Sequence, residues 1–327
     1  RRQRQMCRRD RSRPPAYGLA PGLRWGRAAG GSLGVVSAPI VAVIGGGQLA
    51  RMMQEEASAL GIHLRSLVEA ADGSTGQVVV DAPVGAADDE AAVRAVTAGD
   101  GTQGPGGEPV AVLTFEHEHQ DSSLLERLQD EGVSVQPTPQ ALELARDKLA
   151  MRRAMSEAGL PQPAWVEVGG PQQETAQEMS DAVEAFAAEH GWPVVLKTPR
   201  GGYDGHGVLL VRSAESLHEG EAVEWLTSVA RARAGQSDGQ GAGGGGSLGG
   251  AAVTSLLVER AIPFTRELAV LLARSPSGRI AVWPVAQTVQ EDGMCAEVLA
   301  PAPGLDSAAV EEAELIGRTV AERAGVT

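Results

Sequence analysis

The sequence predicts an α/β protein in two parts: a doubly wound parallel domain over residues 39–140 and an α+β unit over residues 141–327. Three observations predict it. The run IVAVIGGG (40–47) is continuously apolar and ends in glycines, as a strand buried on both faces does. Further strand-like runs follow at 63–70, 78–86 and 110–116, with a helical pattern at 48–61 ahead of the first of them, which is the rhythm of βαβ units. After residue 159 a proline-rich break opens a second unit with its own strands.

Each element has its reason. QLARMMQEEASALG (48–61) sets Leu49, Met52, Met53, Ala57 and Leu60 on one helical face and stops at Gly61. HLRSLVEA (63–70) is a second strand, and VVVDAPVGA (78–86) and VAVLTFE (110–116) continue the sheet. SSLLERLQDEG (122–132) and the 139–159 segment, PQALELARDKLAMRRAMSEAG, read as amphipathic helices, each ending at a glycine. In the second unit, strands are predicted at 192–199, 207–212, 255–262, 267–274 and 279–286, and a last helix at 311–325. The stretches 99–109 and 234–250 lack apolar residues for a core and read as flexible surface loops. There is no internal repeat.

Charge and composition exclude several functions. Residues 1–38 carry nine arginines against one acid, Asp10, a net +8, which leaves −22 on the rest of a chain whose total is −14. An acidic body of that size disfavours nucleic acid and anionic membrane as partners. No apolar run reaches the roughly 18 residues of a membrane span. Two cysteines, Cys7 and Cys295, cannot build a disulfide framework or a cysteine metal cluster, which suits a cytoplasmic location. Residues 1–38 have no apolar core segment, so they are not a secretory signal. They read as a disordered or non-native extension, with a transit peptide as the alternative.

Two glycine-rich loops carry the chemistry. Gly45-Gly46-Gly47-Gln48-Leu49-Ala50 follows a strand and opens a helix, and Glu69 lies near the end of the next strand. That fits a dinucleotide fingerprint, a phosphomonoester site on backbone N–H groups, or plain strand-to-helix geometry. In the second loop, Lys197 ends a strand, Thr198 to Gly207 form a glycine hairpin, and VLLV returns. Such a hairpin can close over a triphosphate, the glycines admitting phosphate oxygens to backbone N–H groups while the lysine neutralises charge. It lacks the P-loop spacing. Lys197 and Lys148 are the chain's two lysines among many arginines, which singles them out. Downstream, Glu259 sits on a strand that runs into an apolar turn, a suitable frame for an adenine and ribose.

GGGQLARM (45–52), TFEHEH (114–119), ARDKLAMR (145–152), VLKTPRGGYDGHG (195–207), VERAIPFTREL (258–268) and WPVAQTVQEDG (283–293) follow one another in a telling order. Over residues 39–327 the chain thereby resembles the N5-carboxyaminoimidazole ribonucleotide synthase family of the ATP-grasp superfamily. The resemblance implies a Rossmann-like pre-ATP-grasp domain followed by an incomplete α+β ATP-grasp domain. It implies an ATP-dependent C–N ligase of purine biosynthesis that uses bicarbonate to carboxylate aminoimidazole ribonucleotide through carboxyphosphate, in a homodimer. Lys148 and Lys197 would contact ATP, with Gly202, Tyr203, Asp204, Gly205, His206, Gly207 and Val208 as the lid. Glu259, Arg260, Ala261 and Ile262 would frame the adenine and Glu267 the ribose. Gln290 stands where many relatives carry a nucleotide-contacting histidine. Gly46, Gly47, Gln48 and Leu49 would face the ribonucleotide, with Glu118, Tyr203 and Asp204 completing its pocket. Lys197 and Asp204 would be catalytic, Asp204 by orienting or deprotonating the amine. The carboxylates that hold Mg2+ in this family, and a phosphate-binding segment, are expected beyond Thr327.

Alternatives remain at this level. They are another ATP-grasp ligase, a nicotinamide oxidoreductase built on the first glycine turn, and a non-catalytic nucleotide-binding module. His117 and His119 alternate along the chain and so are expected to point apart, against a shared metal; His206 also invites a metal reading.

Overall fold

Ile40–Ile44 (β1) is apolar throughout because it lies between two parallel neighbours, His63–Leu67 (β2) and Val112–Phe115 (β3). The structure, a computed structural model, describes residues 38–99, 107–171, 173–202, 206–235, 253–291 and 293–326. Gln48–Leu60 (α1) connects β1 to β2 and ends at Gly61 in the left-handed conformation, φ 70°. Glu90–Ala98 (α2) precedes β3, and Ser122–Asp130 (α3) follows it. Alternate residues of β1 feed opposite faces. Ala42 and Ile44 meet Val93 and Val96 of α2 and Leu124, Leu125 and Leu128 of α3. Val43 meets Ala50 and Ala57 of α1. The first domain is therefore doubly wound.

The strand expected at 78–86 is reduced to two parallel bridges, Arg65↔Asp81 and Val68↔Val84. The segment supplies carbonyls, Asp81 O to Ser66 N and Pro83 O to Val68 N, while Pro83 has no N–H with which to extend a ladder. Val80 stands fully exposed. The single helix expected at 139–159 is two, Pro139–Arg146 (α4) and Lys148–Glu157 (α5). Between them Asp147 leaves helical geometry (φ −122°, ψ 109°) and its carboxylate caps α5 by accepting from Leu149 N and Ala150 N at 2.8 and 3.0 Å.

The second unit opens with Trp165–Val168 (β4), Ala176–His190 (α6), Val194–Lys197 (β5) and Val208–Val211 (β6). It continues with Ala214–Leu217 (α7), Gly220–Arg233 (α8) and Leu256–Arg260 (β7). Its sheet is antiparallel in the order β4-β7-β5-β6. One face of that sheet is sealed. Val168, Val194, Leu196, Val211, Leu256 and Val258 pack under Met179, Val183 and Phe186 of α6 and Trp225, Leu226 and Val229 of α8. Neither helix was in the sequence expectation. A capping box between Thr175 and Glu178 starts α6.

The strand expected at 267–274 is split into Glu267–Ala269 (β8) and Leu272–Arg274 (β9), because the halves pair with different partners. Ile280–Val282 (β10) pairs with β9, whereas Ala286–Glu291 (β11) lies between β8 and Met294–Leu299 (β12). The strand expected at 279–286 likewise ends at Val282, before Pro284, which cannot donate to a ladder. Ser307–Arg323 (α9) begins earlier than expected, capped by the Asp306 carboxylate on Ala309 N. Residues 38–327 pack as one unit.

Candidate functional site

The side chains of β5 and β7 alternate, so whatever does not enter the core faces the opposite side of the sheet. There Val195, Lys197, Val208, Leu210 and Glu259 line a cavity of about 750 Å³, with Ile262 and Phe264 also in its lining. Register brings the charges together: Lys197 pairs with Leu257 and Val195 with Glu259, which makes Lys197 and Glu259 diagonal neighbours on adjacent strands. The Lys197 ammonium lies 2.6 Å from Glu259 Oε2, and Arg152 Nε of α5 donates to Oε1 at 2.5 Å. Glu259 is only 3% exposed. Burial pushes its carboxyl up, but the hydrogen bonds from Arg152 and Lys197 outweigh that and hold it below the usual range. Glu259 is thus a buried, doubly paired carboxylate, not a solvated strand end. Arg260, Ala261 and Ile262 continue along the cavity wall.

The hairpin after Lys197 is closed at its base by Thr198 N donating to Gly207 O at 3.0 Å. Gly202 and Gly207 are glycine for cause. Both have positive φ (82° and 70°), and a Cβ would stand 2.6 Å from His206 O at the first and 2.5 Å from Thr198 Oγ1 at the second. Tyr203 and Asp204, which the resemblance assigns to both binding sites, and Gly205, which it assigns to the lid, lie outside the described residues. The stem is tied to the α4–α5 junction. Lys148 N donates to Pro199 O at 2.9 Å, and its ammonium donates to Thr198 O at 3.1 Å and Gly201 O at 2.9 Å. Arg200 donates from Nε to Asp147 at 3.0 Å and forms an ion pair with Glu143. Burial, reinforced by the charge of nearby Lys197, lowers the Lys148 ammonium below the usual lysine range against the pull of Asp147 and Glu259.

Glu267 and Gln290 stand apart from this group. They belong to β8 and β11 and do not line the cavity; Gln290 is exposed and pairs with Cys295 of β12.

The first glycine turn has its own cavity, about 310 Å³, lined by Gly45, Gly46, Gly47, Glu69 and Glu116 among others. Gly47 caps α1 without a side chain, and Glu116 fills the vacancy. Its carboxylate accepts from Gly47 N at 2.7 Å and Leu49 N at 3.0 Å. The sequence expectation passed over Glu116. A signal existed, since α1 has neither a capping side chain nor an acid in its first turn, so an acceptor had to come from elsewhere. Glu118, chosen instead, is exposed beside His119 and does not line this cavity. Gln48 accepts from Ser74 Oγ at 3.2 Å, and Leu49 is exposed. The two cavities share no lining residue. A carboxylate seated on the N–H groups of the turn disfavours a pyrophosphate in the same place, which weakens the dinucleotide alternative.

His117 and His119 do not point apart as expected. Their ring centroids are 5.7 Å apart, because β3 ends at Phe115 and the segment beyond it is not a strand. Phosphoryl transfer from ATP calls for Mg2+. Among the described residues no group of three or more His, Cys, Asp or Glu side chains could hold a metal ion; a Mg2+ bound through ATP phosphates needs only one or two carboxylates. Among the described residues no helix is long and apolar enough to cross a membrane.

Residues 39–146 match the ribonucleotide synthetase preATP-grasp domain and residues 153–327 the ATP-grasp domain. The N5-carboxyaminoimidazole ribonucleotide synthase of Mycobacterium tuberculosis is 39% identical over 289 residues, 88% of this chain and 57% of that protein. That of Corynebacterium ammoniagenes is 38% identical over 290 residues, 88% of this chain and 59% of that protein. This chain therefore spans less than two thirds of the length of these relatives. Among solved structures, the Aspergillus clavatus carboxyaminoimidazole ribonucleotide synthase complexed with ATP matches with a TM-score of 0.66 at 26% identity, over 88% of this chain and 63% of that one. The Thermus thermophilus synthetase matches with a TM-score of 0.65 at 28% identity, over 88% and 64%.

Proposed function

The chain belongs to the ATP-grasp family, with N5-carboxyaminoimidazole ribonucleotide synthases among its relatives, and from that premise we propose that it acts in an ATP-dependent C–N ligase. The reaction proposed is the carboxylation of aminoimidazole ribonucleotide with bicarbonate in purine biosynthesis, in the cytoplasm and in a homodimer. A bicarbonate oxygen takes the γ-phosphoryl of ATP, the bond to ADP breaks, and carboxyphosphate forms. Carboxyphosphate releases phosphate and carbon dioxide. The substrate amine attacks the carbon dioxide and loses a proton, leaving a carbamate.

One observation carries the reading: Lys197, Glu259 and Arg152 converge on a wall of the 750 Å³ cavity, whose remaining lining is apolar except for His190 and Arg260. Val195, Leu210, Ile262 and Phe264 suit a purine base, and the Lys197 ammonium suits its phosphates. Lys148, at the stem of the glycine loop, adds a second ammonium close to Lys197. Tyr203 and Asp204 are assigned to the substrate pocket, Asp204 on the amine. The cavity at Gly46 to Leu49 is assigned to the ribonucleotide, with Glu116 added as an acceptor for hydroxyls. The boundary between the two domains is placed near residue 140.

Calorimetric titration with ATP tests the reading. Lys197→Ala is expected to weaken ATP binding about tenfold or more, about 1.4 kcal/mol. Unaltered ATP affinity in that variant would sink the proposal, as would tight binding of NADH by the unmodified chain.

A further inference from the structure

Glu259 holds two cations, one on each carboxylate oxygen, and the nucleotide reading employs only one of them. Lys197 reaches Oε2 from the neighbouring strand, whereas Arg152 reaches Oε1 from α5, a separate element. Arg152 is itself largely buried, its side chain 14% exposed, and it lines the cavity with Lys197 and Glu259. A lone lysine facing a lone carboxylate in a half-dry cavity would form a closed, neutral pair. That pair would have to be broken before the ammonium could turn to a phosphate. With the guanidinium added, the cluster holds two positive charges and one negative, and the carboxylate keeps a partner when the lysine leaves. Arginine suits the post because its charge does not titrate in a protein. Its helix is fixed at the start by the Asp147 cap, five residues before it.

We infer that Arg152 is a positioning residue that holds Glu259 as its own ion-pair partner, so that Lys197 remains available to the phosphate chain of a nucleoside triphosphate. This rests on the nucleotide reading given above. It goes further in assigning to helix α5 the control of a lysine on strand β5.

Calorimetric titration with two probes, ATP and adenosine, tests it. The unmodified chain is expected to bind ATP; failure to do so would overturn the nucleotide reading and this inference together. Given that binding, Arg152→Met is expected to weaken ATP about tenfold or more and adenosine less than about threefold, and Arg152→Lys to recover ATP to within about threefold. Equal losses for both probes, or no loss for ATP, would overturn the inference and leave the nucleotide reading standing. The Glu259→Gln background supplies a second arm that leaves no unpaired buried carboxylate should Arg152→Met alone fail to fold. In that background, adding Arg152→Met is expected to change ATP affinity less than about threefold, because nothing remains for the guanidinium to hold. A further tenfold loss there would show Arg152 acting on the nucleotide directly, and would overturn the inference.

Discussion

Gly47→Ala probes the start of α1 with a single methyl group. The new Cβ would press on Glu116 Oε1 and stand 3.0 Å from its Oε2 and Cδ, so the carboxylate must leave the Gly47 and Leu49 N–H groups. Two hydrogen bonds to a charged acceptor in a partly exposed site are worth about 3 kcal/mol together. Alanine returns about 0.7 kcal/mol through the unfolded chain, because the native φ of −88° suits it. The net loss is therefore about 2 kcal/mol. With roughly 2.1 cal/mol/K of unfolding entropy per residue over residues 38–327, the melting temperature falls by about 3 °C. Urea and thermal unfolding measure both quantities. A double-mutant cycle isolates the cause: in a Glu116→Ala background, Gly47→Ala is expected to be neutral or slightly stabilising. If Gly47→Ala costs the same with and without Glu116, the carboxylate is not what the methyl group displaces, and the account of this turn is wrong.

Other consequences are open to measurement. Glu259→Ala strands Arg152 and Lys197 without a counter-charge and is expected to cost about 3–5 kcal/mol in urea unfolding. Asp147→Ala removes the α5 cap and the partner of Arg200, for a loss of about 1–2 kcal/mol by the same assay. The Glu259 carboxyl is held below its ordinary value of 4.5, so its contribution is complete above about that pH and is lost as pH falls through the folded value. Acid unfolding of the unmodified chain should therefore steepen there relative to Glu259→Gln, and parallel curves would contradict the pairing. Lys148 has the same sign, in an alkaline window. Its folded pKa lies below 10.5, so the native chain binds fewer protons than the unfolded one between those values, and stability rises with pH across that window. ATP phosphates should restore the proton, making the binding enthalpy depend on buffer ionisation at alkaline pH in the unmodified chain but not in Lys148→Met.

The parts of the fold that follow from local periodicity were legible in the sequence. β1 and α1 announce themselves by an apolar run and a one-sided stripe, and Gly61 stops the helix where a left-handed residue is needed. The break at Asp147 was also encoded, since an aspartate ahead of Lys-Leu-Ala caps a helix better than it continues one. Met179, Val183, Phe186 and Ala187 mark α6 at helical spacing, so that element was within reach too. The site was legible as residue types but not as an arrangement. Alternation in VVLK and LLVE puts Lys197 and Glu259 on definite faces. That the faces coincide depends on β5 and β7 being neighbours, which no local pattern states. Glu116 depends likewise on β3 lying beside β1. Arg152 reaches Glu259 across 107 positions of sequence, a meeting that only the packed chain defines.

The β5–β7 ladder assigns successive residues to incompatible duties, Val194, Leu196, Leu256 and Val258 to the sealed side and Lys197 and Glu259 to the open one. A deletion or insertion of one residue within either strand would invert these assignments along its length and drive a charge into hydrocarbon. Length variation among natural or engineered descendants of this chain should accordingly be confined to connecting loops. Within these two strands, change should proceed by replacement alone.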